Sequence, residues 1–121
     1  MWKFGRRGVP LIVLAGICAW PRSGLSQADV HLQGEIVDMV SYMTKGGSVG
    51  SEEHAQQCAK KGEPIGLLTD DSQLYLLVDD HNNPDPYDVA KTLGGRRTAV
   101  TGKKFNKQGV ASIVVQDVKG Q

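Results

Sequence analysis

Five runs of β-branched and aliphatic residues, each closed by turn-forming residues, restrict most tightly how this chain can fold. Val30, Leu32, Gly34 and Ile36 alternate with His31, Gln33 and Glu35, the two-residue period of a half-buried strand. The alternation then blurs, with Met39, Val40, Tyr42 and Met43 falling on both faces. The first strand therefore reads as one long element over residues 29–43, bulged or bent at Gly34. Short apolar runs follow at residues 65–68 and 74–78. Thr69, Asp70, Asp71 and Ser72 separate them as a turn, so the pair reads as a hairpin. The last two strands are expected over residues 96–104 and 110–118, on either side of a turn at residues 106–109.

Two short helices interrupt the strands. Ser51 can cap the first, with Glu52 and Glu53 in its opening turn, Lys60 and Lys61 in its last turn, and Gly62 at the left-handed position beyond. Its apolar face, Ala55, Cys58 and Ala59, is narrow and suited to lie close against a sheet. Asp85 is expected to cap the second helix, with Pro86 at the first helical position and Gly94 after its end. Strand, helix, strand, strand, helix, strand, strand is the order of the OB-fold, a five-stranded, partly open Greek-key barrel. A two-sheet sandwich would need about seven strands. The expected fold is mainly β: one OB-like barrel over residues 29–121, with two short helices.

The first 28 residues have the composition of a secretory signal peptide. Lys3, Arg6 and Arg7 precede an apolar run over residues 9–20, too short for a membrane span, which needs about 20 residues. Ser26 and Ala28 place cleavage after Ala28. A lipoprotein box at Cys18 is disfavoured because Ile17, just before it, is not small. A twin-arginine signal at Arg6 and Arg7 has poorly fitting flanks. Losing Lys3, Arg6, Arg7 and Arg22 from the fourteen basic residues leaves ten against thirteen acidic ones, a net charge of −3. The expected address is periplasmic or secreted. A mildly acidic secreted domain lacks the basic surface that nucleic-acid binding rests on. Cys58 is then a lone cysteine in an oxidising compartment.

The stretch Tyr42, Met43, Gly46, Gly47, Gly50, Cys58, Gly62, Pro64, Gly66 and Leu67 resembles a group of small secreted bacterial OB-like proteins without a settled activity. Their pattern is Cys-Tyr-Leu, a glycine loop, a His, Cys-Ala-x-x-Cys, then Gly-x-Pro-x-Gly-Leu. Ser41, Ser51 and His54 stand here where that pattern has its first cysteine, its histidine and its second cysteine.

No nucleophile triad, phosphate-binding loop or paired-carboxylate signature is present, and an enzyme is not expected. The leading functional expectation is a binding or accessory module that contacts another envelope protein. OB-folds bind through the loop after strand one and the loop between strands four and five. Here these are the glycine loop, with Lys45, Gly46, Gly47 and Gly50, and a basic turn, with Lys104 and Lys107. Acidic residues from Asp70 to Asp88 precede basic ones from Lys91 to Lys107, which predicts one acidic and one basic end. The alternative is a small copper or zinc protein. His54 and Cys58, four residues apart, share one helix face and offer imidazole and thiolate ligands. Cleavage after Ala28 would also put His31 third in a new terminus, Asp29-Val30-His31, able to wrap copper(II) in a plane of nitrogens. Without a metal, Cys58 is expected to be a buried, inert thiol with a raised pKa.

Overall fold

The structure, a computed structural model, describes residues 27–45 and 51–121. The signal segment, apart from its last two residues, lies outside the described residues, as do Gly46, Gly47 and Gly50. Strands β1 (Gln27–Asp38), β2 (Ile65–Thr69), β3 (Leu74–Val78), β4 (Arg97–Lys107) and β5 (Val110–Gly120) form a closed barrel in the order β1-β2-β3-β5-β4. The parallel pair β3–β5, with Leu77 opposite Ile113, closes it. Among the described residues three short helices decorate it: α1 (Met39–Thr44), α2 (Glu52–Lys60) and α3 (Asp85–Lys91), the last with Asp85 inside its first turn and Pro84, not Asp85, at the cap. This is an OB-fold-like barrel.

β1 is long because it serves two partners. It pairs with β4 over residues 27–35 and with β2 over residues 34–38. Gly34 stands opposite Thr69 and Thr98 at the handover. A Cβ there would press into the Leu68 carbonyl, so glycine is needed because two backbones close on that position, and both ladders run through it without the expected bulge.

The first strand nevertheless stops at Asp38, five residues short of the expected end, and residues 39–44 are helical. The Asp38 carboxylate accepts hydrogen bonds from the Val40 and Ser41 N–H groups and so caps α1. The blurred phase at Met39, Tyr42 and Met43 is helical spacing rather than a two-faced strand. The final turn is also tighter than expected. β4 runs on to Lys107, and Gln108 and Gly109 alone make the loop, with φ of 52° and 85°. Two successive positive φ values mark the tight hairpin turn that matches strand twist.

Ile36, Ile65, Leu67, Leu77, Val100, Ile113, Val115 and Val118 fill the barrel, joined by Ala59 from α2 and Ala90 from α3. Alanine at both contacts lets each helix axis approach the barrel closely. α2 ends as its sequence dictates. Gly62, at φ 97°, donates to the Ala59 carbonyl, and Glu63 donates to the Cys58 carbonyl. These are the two bonds of a Schellman motif. Nothing lies within 4 Å of a Cβ built on Gly62, so conformation alone sets the cost of substitution. Gly62→Val is expected to destabilise by about 1 kcal/mol or more, read as a lower thermal midpoint. An unchanged midpoint would mean that α2 does not end this way.

Candidate metal centre

The chain leaves the barrel at Asp38 and returns at Ile65, and the segment between folds two helices against that rim. Asp38 ends β1, Ser41 lies in the first turn of α1, and His54 and Cys58 share one side of α2. The Ser51 hydroxyl caps α2 by accepting from the His54 N–H at 3.1 Å, which sets where the imidazole starts. The Schellman turn brings Glu63 back beneath Cys58.

These elements bring Asp38, His54 and Cys58 together, with one ligand atom of each within 4.8 Å of the others. His54 Nε2 lies 3.5 Å from Cys58 Sγ and 3.9 Å from Asp38 Oδ2. The Ser41 hydroxyl sits between them, donating to Asp38 Oδ2 at 2.6 Å and lying 3.1 Å from His54 Nε2. Since its proton goes to Asp38, the Ser41 oxygen is left to face His54 Nε2 as an acceptor. The Asp38 side chain is 1% exposed, and that of His54 is 46% exposed. The group therefore has a buried carboxylate floor and an open rim.

Burial alone would raise the Asp38 pKa. The hydrogen bonds from the Ser41 hydroxyl, the Ser41 and Val40 N–H groups and Cys58 outweigh it and hold the carboxyl below its usual range. Asp38 is therefore an anion at neutral pH. The Cys58 thiol is pushed up to about 11, first by its hydrogen bond to Glu63, then by burial and by the charges of Asp38 and Glu63. Such a thiol is protonated at neutral pH, and its proximity to His54 does not make it a catalytic nucleophile.

The raised pKa was expected, but its main cause is different. Ala55 and Ala59 are fully buried, whereas Cys58 is only partly buried. It stands at the edge of the apolar face and turns toward His54, where the Glu63 carboxylate comes before burial as the cause of its raised pKa. Alkylation of the native protein at pH 7 is expected to run about tenfold or more slower than that of a free cysteine. Mass spectrometry would follow it, and equal rates would mean that Glu63 does not hold the thiol.

Other expected site residues are not brought to this group. His31 is in β1, with Nδ1 2.7 Å from Thr101 Oγ1. Asp29, Val30 and His31 pair in register with Lys103, Gly102 and Thr101 of β4, and a nitrogen plane there would require them to leave the ladder. Met39 packs on Gly66 and Met43 is exposed. Lys45 is exposed where the glycine loop begins. Lys104 lies over the Tyr75 ring at 5.3 Å, and Lys107 is exposed before the tight turn. That turn lies toward the end of β1 where Gln27 pairs with Phe105, whereas α1, which ends just before Lys45, follows the other end, where Asp38 pairs with Ile65.

The expected separation into acidic and basic ends does not hold. Arg97 donates two hydrogen bonds of 2.7 Å to Asp70, and Lys91 lies 3.3 Å from Asp88. Because β1 joins β2 to β4, the acidic end of β2 meets the basic start of β4. A cleft of about 420 Å³, lined by Gln56, Lys60, Asp88, Lys91 and Thr92, lies between α2 and α3. Its α2 residues are about half a turn round the helix from His54 and Cys58, so the cleft and the ligand group are separate.

Asp38 is the member that sequence reasoning missed. Its signal was an N-cap signal, an aspartate just before an apolar run, and the run was read as strand. Among the described residues no helix is long and apolar enough to cross a membrane. The fold defines the chain as an OB-like barrel carrying a carboxylate–imidazole–thiol group on its rim. No family model, curated protein or solved structure matches the chain.

Proposed function

We propose that the protein is a small metal-binding barrel of the cell envelope, holding one zinc(II) or copper(I) ion at Asp38, His54 and Cys58. The observation that carries this reading is the spacing of the donor atoms. Around a tetrahedral zinc, oxygen and nitrogen ligands stand about 3.3 Å apart, and either stands about 3.5 Å from sulfur. His54 and Cys58 already have that spacing at 3.5 Å, Asp38 and His54 at 3.9 Å need to close by about half an ångström, and all three atoms lie within 4.8 Å of one another. The donor set of carboxylate oxygen, imidazole nitrogen and sulfur suits zinc, and its sulfur and nitrogen suit copper(I). The predicted leader would take the protein to the compartment where such ions are scavenged.

Zinc(II) added to the purified chain in about hundredfold excess over its dissociation constant is expected to stabilise the fold by about 2.7 kcal/mol. That corresponds to a rise in thermal midpoint of roughly 10 °C or more for a domain of this size. Elemental analysis should find one ion per chain. No shift with either zinc(II) or copper(I) would sink the reading.

A second reading rests on Val40 and Met43, which α1 leaves 43% and 67% exposed. It is an accessory module that another envelope protein covers at α1. A stoichiometric complex lost in Met43→Lys and indifferent to chelator would favour this reading over the first.

A further inference from the structure

We infer that an ion at Asp38, His54 and Cys58 keeps one coordination position open to solvent, for a single thiolate or imidazole donor from a second molecule. The site then passes its ion on by ligand exchange instead of burying it. This deepens the metal-binding reading and rests on it.

The first argument is ligand number. Among the described residues the group consists of Asp38, His54 and Cys58. Structural zinc sites close with four protein ligands, whereas sites with three protein ligands keep a fourth place for an exchangeable one. The second is direction. Asp38 is a buried floor, while His54 is about half exposed and Cys58 is partly exposed. An ion above that floor has its uncovered side toward water.

The third argument is Ser41. Its oxygen lies 2.6 Å from Asp38 Oδ2 and 3.1 Å from His54 Nε2, on the buried side of the group, close enough that a stronger donor placed there would compete for the ion. A neutral hydroxyl whose proton is given to a carboxylate is a poor ligand for zinc or copper beside a thiolate. Ser41 therefore occupies the inner corner of the site without closing the coordination sphere. Glu63 is not a member of the group.

Cobalt(II) reports the matter directly, because its visible absorption responds to ligand number and type. The chain loaded with one equivalent of cobalt(II) is titrated with imidazole and, separately, with free cysteine. Ultrafiltration confirms that the metal stays on the protein. A saturable change in the visible bands with at least one donor is expected for the unaltered chain and for Ser41→Ala. Ser41→Cys supplies a fourth strong ligand. It should weaken the response at least tenfold and slow metal loss to a chelator at least tenfold. Bound cobalt whose spectrum ignores both donors would overturn the inference and leave the metal-binding reading standing. An undiminished response in a folded Ser41→Cys protein would also overturn it. Failure of the chain to bind cobalt(II), zinc(II) or copper(I) would overturn both.

Discussion

His54→Ala is expected to lower zinc(II) affinity by roughly a hundredfold or more, because it removes a ligand outright and even indirect partners of ligands cost 10–100-fold. The metal-free fold should hardly notice. The ring is 46% exposed, alanine favours helix, and the backbone bond to Ser51 survives. Isothermal titration and thermal melts together would show this, and unchanged affinity would remove His54 from the site. Asp38 needs a subtler substitution because it also caps α1. Asp38→Asn keeps a good capping side chain and removes the charge that a cation needs. It should lose affinity and, because its Nδ2 cannot accept where both Asp38 oxygens now do, some stability too, though less than Asp38→Ala, which should lose about 1 kcal/mol or more from the cap.

The affinity should also depend on pH in one direction. The ion binds thiolate, and the Cys58 proton, held with a pKa of about 11, must leave. From this proton alone, affinity rises about tenfold per pH unit through the neutral range and falls as pH falls.

Gly34→Val is expected to destabilise the barrel by about 3 kcal/mol or more, enough to lower the thermal midpoint by about 12 °C or prevent folding. Its side chain would be driven into the Leu68 carbonyl and toward the Thr69 Cα. Neither can retreat, because β1 is paired on one edge with β2 and on the other with β4 at this residue. Gly109→Ala is the control. Gly109 has φ of 85° but open space around its Cβ position, so only the modest left-handed penalty applies, about 1–2 kcal/mol. If the two variants melted together, close approach at Gly34 would not be what holds the handover.

Much of this protein is written in local signals. Ser51, Glu52, Glu53 and Gly62 define α2 because capping and left-handed termination act within a few residues. The runs at residues 65–68, 74–78 and 110–118 mark strands by composition, and their order implies the barrel. The pair His54 and Cys58 is legible because four residues make one helical turn. Asp38 could not be placed beside them from the sequence. The 15 residues between it and His54 carry no period that says how two helices fold back onto the end of β1. The charge pairing of Asp70 with Arg97 was equally hidden, since it follows from β1 lying between β2 and β4. The sequence by itself determined the strands, α2, the two ends of that helix and a two-ligand face. Only the tertiary structure decided that Asp38 is the floor beneath that face and Ser41 its inner corner. The reason is that contacts across a closed barrel depend on register and chain return, which no local pattern encodes.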